Sequence, residues 1–211
     1  MKGILGLFRR NRPAAPQSDD ERLDSMLFTT GFDEQGANAN PIVAWEARAL
    51  EVGATALDPA AGTRLLQHLW AKDKYMHQLD AHAIERLQRF FVFASVVANQ
   101  DLIRQDEFGN FMLVLLSGRV VIERLQPGGV RRRLAVASAG EMLGEMSLLD
   151  SGIRFSACSS SSACDIAILS ADALDQMLQA DPALAANLIA LLARKLSLRM
   201  RAISARLNEP K

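Results

Sequence analysis

Short apolar segments separated by turn-forming residues run through the second half of the chain and limit what it can fold into. Ser117-Gly118 ends the first of them, and Gln-Pro-Gly-Gly at 126–129 ends the second. The segments are residues 111–116, 120–125, 131–137 and 163–169. Apolar runs of four to eight residues bounded by glycine and proline are typical of strands, and several in succession predict a β-barrel or a β-sandwich.

Helical patterns precede and follow this β region. Residues 81–90 carry apolar side chains at spacings of three and four, as the buried face of a helix requires. After the last strand, Ser170 is placed to cap a helix over 171–180, and Asp181-Pro182 has the cap-then-proline order that begins another. The chain is therefore predicted to be an α+β protein in which helices flank a small β-barrel.

The N-terminal third shows no strand pattern. Residues 1–20 are polar and interrupted by prolines, which predicts a disordered tail, and residues 21–71 are predicted to form a helical extension. Helices are expected over 44–57 and 60–70, and Asp58-Pro59 supplies the cap and first position of the second. The barrel domain is then placed at residues 72–180.

Composition excludes several classes of protein. The 24 Lys and Arg balance 24 Asp and Glu, so no overall charge favours a nucleic acid or an acidic membrane as partner. With 2 cysteines the chain has no disulfide scaffold, and a reducing compartment is the default. No apolar run reaches the roughly 20 residues that span a bilayer, so a cytoplasmic location is expected. Apolar residues at 4–8 beside three arginines leave a short helix on a membrane surface as an alternative to a disordered start.

The final helix, placed within residues 181–211, repeats apolar residues at steps of three and four. They are Ile189, Leu192, Leu196, Met200, Ile203 and Leu207. A seam of this kind is typical of a coiled coil, and we expect it to join two copies of the chain as a homodimer. The alternative is that the seam packs onto the chain's own barrel.

Residues 140–157 contain the most distinctive chemistry. Gly144 permits a tight turn, and residues 146–149 suit a single helical turn whose exposed N–H groups point at an anion. Arg154 offers a guanidinium as a bidentate partner for a phosphate. Glu145 is an acceptor-only group that suits ribose hydroxyls. Together these residues indicate a nucleotide site.

The order and spacing of these residues resemble the phosphate-binding cassette of cyclic-nucleotide-binding domains, the family of the catabolite activator protein and the protein kinase A regulatory subunit. The family has Gly-Glu, four mostly apolar residues, four further residues and then arginine. Residues 144–149 followed by Arg154 keep that spacing. Residues 103–106 resemble the family's upstream turn without its glycine, residues 112–122 resemble its hairpin, and Phe90-Phe91 resembles the end of its leading helix.

The resemblance extends over about residues 75–207. It implies a jelly-roll β-barrel with flanking helices that move when a 3′,5′-cyclic nucleotide binds. The chain is then expected to be a regulatory sensor and not an enzyme, with cAMP as its ligand by family precedent, no cofactor, and an unidentified effector protein as its partner. The implied ligand-binding residues are Gly144, Glu145, Met146, Ser147, Arg154, Phe155 and Ser156.

The sequence departs from the family after the arginine, where Phe155 replaces a small residue. A phenyl ring there is expected to crowd the phosphate, unless the chain bulges by one residue and Ser156 takes the family position. The final helix also has no clear match to the family's base-contacting residues. Ser197, Arg201 and Ser204 are candidates by approximate position only.

Three other functions compete with the sensor. A protein-interaction module would keep the fold without a ligand, and Glu145 would then pair with Arg154 or cap a turn. A metal-dependent enzyme of jelly-roll outline is disfavoured because no histidine follows Phe90. A transcription factor of the same family is disfavoured because only residues 208–211 follow the final helix, so no direct binding to DNA is expected.

Two remaining features are assigned structural roles. Cys158 and Cys164 flank a serine-rich stretch and are expected to face each other across a hairpin as small buried residues, with a regulatory disulfide as the alternative. The three arginines at 131–133 are expected at an exposed sheet edge and not in a nucleic-acid patch.

Overall fold

A computed structural model describes residues 28–29 and 41–207 of the chain. The predicted tail at 1–20, the alternative membrane-surface helix within it and the last residues, 208–211, lie outside the described part. None of the helices in the described ranges is long and apolar enough to cross a membrane.

Helices surround a central group of strands in the described residues. The strands are β1 (Ile42–Val43), β2 (Thr55–Ala56), β3 (Val92–Val96), β4 (Asp101–Ile103), β5 (Phe108–Gly109), β6 (Phe111–Leu115), β7 (Val120–Leu125), β8 (Arg131–Ala137), β9 (Met142–Leu143), β10 (Ala157–Ser160) and β11 (Cys164–Ser170). The helices are α1 (Trp45–Glu51), α2 (Pro59–Lys72), α3 (Ala81–Leu87), α4 (Glu145–Asp150), α5 (Ala171–Ala180) and α6 (Pro182–Leu207). Two 3₁₀ turns are Met76–Gln78 and Gln88–Phe90.

The larger strands form two sheets. One has the order β4-β10-β7-β8 and the other β2-β3-β11-β6-β9, with β1 and β5 as a separate parallel pair. Every pairing within the two sheets is antiparallel. The predicted α+β class is confirmed, although the strands make two sheets and do not close into one barrel.

Strand β6 separates the two halves of the hydrophobic core. Met112 and Val114 pack with the helices, whereas Phe111, Leu113 and Leu115 pack between the two sheets. Alternate side chains of a strand point to opposite faces. Because β6 is covered on both faces, it is apolar throughout, and this explains the continuous run seen in the sequence.

The predicted helix caps are present. The side chain of Asp58 accepts a hydrogen bond from Ala61 N at 2.9 Å, and that of Ser170 accepts one from Ala173 N at 3.1 Å. Asp181 accepts from Leu184 N at 3.2 Å in the same way. These residues fix where α2, α5 and α6 begin, because they satisfy N–H groups that have no partner within the helix.

The helix expected over 44–57 is wrong in its second half. Helix α1 ends at Glu51, and residues 55–56 form β2, which pairs with β3. Gly53 takes the left-handed conformation, with φ +61°, between the two elements. That turn brings the chain to the edge of the sheet, where strand pairing determines its conformation more strongly than helical composition.

The hairpin expected between Cys158 and Cys164 is also wrong. Cys158 lies on β10 in the four-stranded sheet, and Cys164 lies on β11 in the five-stranded sheet. The chain therefore crosses from one sheet to the other between them. Both are free and buried, as expected of small core residues, and burial raises the pKa of the Cys158 thiol to about 12.

Helix α6 divides into a packed half and an exposed half. Leu192 is buried in the chain's own core and Ile189 packs against it, so this part of the predicted seam follows the alternative of packing within the chain. Beyond Leu192 none of the side chains that the structure describes is buried. Leu196 is half-buried and Met200 is exposed. Only the distal half of the helix is thus left for the predicted contact with a second copy, which stays a prediction.

Candidate functional site

A glycine turn introduces the predicted phosphate-binding segment. Gly144 has φ +79°, a left-handed conformation that L side chains rarely adopt, and it forms the N-cap of α4. The predicted single helical turn is therefore present, extended by one residue at each end. Within it Glu145 and Ser147 are buried, whereas Met146 is exposed. The turn thus directs two polar side chains toward the protein interior.

Arg154 is held beneath this turn by backbone carbonyls. It is 3% exposed, its Nη1 donates to Gly144 O at 3.0 Å, and its Nη2 donates to Phe111 O at 2.6 Å. The guanidinium also lies over the ring of Phe111, with Cζ 4.7 Å from the ring centroid. No carboxylate in the described residues forms an ion pair with it. Its charge is therefore not neutralised by any ion pair within residues 28–29 and 41–207.

Two glycines make the space that this guanidinium occupies. A Cβ at Gly109 would lie 2.5 Å from Nε of Arg154, and a Cβ at Gly144 would lie 2.5 Å from its Nη1. Real Cβ atoms do not approach other atoms so closely, so any side chain at either position would displace the arginine. The sequence analysis singled out Gly144 but missed Gly109.

Burial lowers the pKa of Arg154 to about 10, because the charged form loses hydration. The carboxylates of Glu107 and Glu145 act in the opposite direction and the nearby Arg48 adds to the lowering. A pKa of about 10 still leaves the guanidinium protonated at neutral pH. The site therefore offers a buried positive charge.

Glu145 is paired with the C-terminal helix and not with Arg154. Arg199 Nη1 on α6 donates to Glu145 Oε1 at 2.6 Å, and Glu145 is 6% exposed. The pairing of Glu145 with Arg154, considered as part of the ligand-free alternative, is absent from the described structure. The carboxylate thus joins the phosphate-binding segment to a helix 54 positions away in the sequence.

A second ion pair holds the same helix one turn earlier. Lys195 Nζ lies 2.5 Å from Asp73 Oδ2. Burial raises the pKa of Asp73, but hydrogen bonds from Lys195 and from the backbone N–H groups of Met76 and Tyr75 outweigh it, so the pKa is lowered overall. Lys195 and Arg199 are four residues apart and therefore share one face of α6.

These groups surround a cavity of about 400 Å³. Its lining residues lie on strands of both sheets, on α4 and on α6. All seven of the predicted ligand-binding residues line this cavity. The lining residues are Ile103, Ile122, Leu134, Ala135, Glu141, Leu143, Gly144, Glu145, Met146, Ser147, Arg154, Phe155, Ser156, Cys158 and Arg199. A mostly apolar wall with a few convergent polar groups is typical of a small-molecule site.

Phe155 lies at the mouth of this cavity. Its side chain is 54% exposed, and the guanidinium of Arg124 covers the ring, with Cζ 4.0 Å from the centroid. Arg124 Nη1 also donates to Phe155 O at 2.5 Å. The ring is therefore held by a neighbour on β7, while Ser156 lines the cavity beside it.

The base-contacting candidates on the final helix lie on the wrong face. Ser197, Arg201 and Ser204 line a separate groove with Leu149, outside the cavity around Arg154. Arg199 is the residue of α6 that lines the cavity. Each helical residue turns the side chain by about 100°, so an error of two positions changes the face. The four-residue spacing of Lys195 and Arg199 was the signal in the sequence for the face of α6 that carries Arg199.

Comparison with known proteins decides the fold family of this region. Residues 94–181 match the family model described as "Cyclic nucleotide-binding domain". This part of the chain is therefore similar to that family. A crystal structure of a cyclic nucleotide-binding domain from Methylobacillus flagellatus superposes with a TM-score of 0.67 at 25% identity, over 72% of this chain and 86% of that one.

The chain is also similar to bacterial regulators. The "Cyclic AMP receptor protein" of Thermus thermophilus is 30% identical over 120 residues, which are 57% of this chain and 56% of that protein. A "CRP-like cAMP-activated global transcriptional regulator" of Mycobacterium tuberculosis is 29% identical over 92 residues, 44% of this chain and 41% of that protein. This chain therefore spans about half the length of these relatives.

A solved structure supports the same relationship. The Thermus thermophilus catabolite activator protein has a TM-score of 0.55 at 28% identity, over 64% of this chain and 62% of that one. The family-model match begins at residue 94, after helices α1 and α2. Those two helices thus precede the part of the chain that the family model matches.

Proposed function

We propose that this chain is a regulatory sensor that binds a 3′,5′-cyclic nucleotide, cAMP in the first place, in the cavity around Arg154. The buried and un-neutralised guanidinium of Arg154 carries this proposal. A buried charge is unfavourable unless it has a partner, and two backbone carbonyls do not cancel it. The single negative charge of a cyclic phosphate supplies the missing partner.

The sugar is assigned to Glu145. A carboxylate has two oxygens with about four acceptor positions, and Arg199 occupies only Oε1. Oε2 is left to accept from a ribose hydroxyl. The apolar wall formed by Ile122, Leu134 and Leu143 faces the rest of the ligand. Phosphate, sugar and base thus each have a matching surface.

We assign the signal to helix α6. A ligand hydroxyl that donates to Oε2 of Glu145 stabilises part of the charge that holds Arg199 and so weakens that ion pair. The pair between Lys195 and Asp73 lies outside the cavity and is unaffected. Ligand binding then changes how the distal half of α6 is held, and leaves its proximal half packed. A helix whose position depends on the ligand is a suitable contact for an effector protein.

A thermal-shift panel tests the proposed function. Cyclic AMP, cyclic GMP, cyclic dinucleotides and 5′-AMP are compared at equal concentration. A ligand present at 100 times its Kd stabilises the native state by about 2.7 kcal/mol. For a protein of this size we expect the Tm to rise by about 5–11 °C. No shift with any cyclic nucleotide at millimolar concentration contradicts the proposal, and an equal shift with 5′-AMP contradicts the cyclic specificity.

Phe155 and Ser156 provide a prediction about the phosphate subsite. Because Arg124 holds the Phe155 ring at the mouth while Ser156 lines the cavity, we expect Phe155→Ser to change cAMP affinity by less than about threefold. Ser156→Ala is expected to weaken it by about threefold to tenfold, the range for one lost hydrogen bond. Calorimetry on both variants measures this. A clear gain in affinity for Phe155→Ser would show instead that the ring crowds the phosphate.

The distal half of α6 is proposed as the seam of a homodimer. Leu196→Glu places a charge on the half-buried apolar side that also carries Met200 and is expected to give a monomer. Leu198→Glu, two positions away on a different face and 38% exposed, is the matched control and is expected to remain dimeric. Light scattering at micromolar concentration measures both. A monomeric wild type, or equal masses for the two variants, contradicts the seam.

The ion pair between Glu145 and Arg199 also favours a second function. It satisfies the buried carboxylate without a ligand and fixes the helix in one position. A module with this closed site acts as a fixed surface for a partner protein. Arg199→Met separates the two functions, because it opens the carboxylate to a ligand. If Arg199→Met binds cAMP and wild type does not, the interaction module is the native function.

A further inference from the structure

The segment before residue 94 reaches the anion site through Arg48 on α1. This side chain is 1% exposed, its Nη1 lies 2.6 Å from Glu51 Oε2, and its Nη2 donates to Glu107. Its Nε has no hydrogen-bond partner. A buried arginine of this kind holds its carboxylates firmly, because the guanidinium has no access to water that could replace them.

Glu107 is the backbone neighbour of Arg154. Arg154 N donates to Glu107 O at 2.8 Å, and Asp106 N donates to Arg154 O at 2.9 Å. Side chains opposed across such a pair lie close together. Gly109, two positions after Glu107, abuts the guanidinium of Arg154 directly. An acidic side chain on this part of the chain therefore lies within reach of the guanidinium.

Both carboxylates around Arg154 are nonetheless taken by other arginines. Arg48 holds Glu107, and Arg199 holds Glu145. Arg104 also approaches Glu107, at 3.8 Å, but it is half-exposed and shared with Glu51. Arg48 is thus the buried cation that keeps the Glu107 carboxylate from neutralising the anion site.

We propose that Arg48 is a positioning residue for ligand binding. It holds Glu107 away from Arg154 and so keeps the guanidinium available to an anionic ligand. This inference rests on the proposed function, and it gives helix α1, which precedes the matched domain, a part in the site. Removal of Arg48 releases Glu107 to pair with Arg154, and the ligand phosphate must then displace an internal carboxylate.

A double-mutant experiment on the full chain separates this role from simple packing. The variants are Arg48→Met, Glu107→Gln, their combination, and Arg48→Lys, with calorimetric titration by cAMP and a urea melt for each. We expect Arg48→Met to weaken cAMP binding by about tenfold or more, since each tenfold is 1.4 kcal/mol and one charged hydrogen bond is worth at least that. The combined variant removes the competing carboxylate and is expected to restore the affinity to within about threefold of wild type.

The outcomes decide the proposal. Restored binding in the combined variant supports positioning, because packing lost at Arg48 is not regained by a change at Glu107. Equally weak binding in Arg48→Met and the combined variant, both folded in the urea melt, overturns it, as does unchanged binding in Arg48→Met. If Arg48→Met does not fold, Arg48→Gln replaces it with the same expected order. Failure of wild type to bind any cyclic nucleotide removes the proposed function itself, and the role of Arg48 with it.

Discussion

Replacement of Arg154 by Leu is expected to weaken the binding of cAMP by at least about tenfold, because a hydrogen bond to a charged group contributes about 1.5–3 kcal/mol. Arg154 is the only cation buried in the cavity among the described residues, so in the proposed complex it is the group that meets the desolvated phosphate. Fluorescence polarisation with labelled cAMP measures the loss. Arg119→Leu, on an exposed turn after β6, is the matched control and is expected to bind as wild type.

The same substitution is expected to lower the free energy of unfolding. Leucine removes the donor of the Phe111 carbonyl and leaves Gly144 O with only the N–H of Leu148, at 3.3 Å. A buried group left unsatisfied costs about 1–3 kcal/mol. Arg154→Lys keeps the charge but supplies fewer fixed donors, so we expect intermediate stability and intermediate affinity. An Arg154→Leu protein that is folded and binds cAMP as tightly as wild type contradicts the assignment of the phosphate.

Replacement of Trp70 by Ala is expected to lower the free energy of unfolding by about 3–5 kcal/mol, the range for large buried aromatic residues. Trp70 lies on α2, is fully buried, and makes an edge contact with Phe91 at 6.3 Å between ring centroids. Total stabilities of about 5–15 kcal/mol make this a large fraction. The expectation follows from a core that α2 shares with α5 and α6.

Urea denaturation of Trp70→Ala beside Leu65→Ala measures this effect. Leu65 lies on the same helix but is 36% exposed, so its truncation is expected to change stability by less than about 1 kcal/mol. A small loss for Trp70→Ala, or similar losses for both, would show that α2 is not part of the folding unit that contains the ligand cavity.

Features set by neighbouring residues were predictable from the sequence. The strands over 120–125 and 131–137 are found with those bounds, because a turn residue stands at each end. The helix caps at Asp58, Ser170 and Asp181 were predictable for the same reason, since each accepts from an N–H group three residues away.

Features set by distant residues were not predictable. Strand β2 exists because β3 offers a free edge to residues 55–56, and no pattern in that dipeptide indicates a strand. Glu145 pairs with Arg199, 54 positions away in the sequence, and Glu107 pairs with Arg48, 59 positions away. Opposite charges are common on any surface, so only the folded backbone shows which of them meet.

The sequence did not predict which face of the long helix α6 is turned toward the cavity. The contact of Leu196 and Met200 with a second copy stays a prediction. Ser197, Arg201 and Ser204 were proposed to face the ligand cavity, but Arg199 is the residue of α6 that lines it. An α-helix repeats every 3.6 residues, so position alone does not define a face without a fixed contact. The ion pairs of Lys195 and Arg199 supply that contact.

Calorimetric titration of the wild-type chain with cAMP tests the central claim most directly. The account predicts saturable binding at one site per chain, abolished or strongly weakened by Arg154→Leu and retained by Arg119→Leu. Cyclic GMP in parallel decides the preferred base. Absence of heat with either nucleotide at millimolar concentration, in a protein that is folded and gives no thermal shift, contradicts the sensor function.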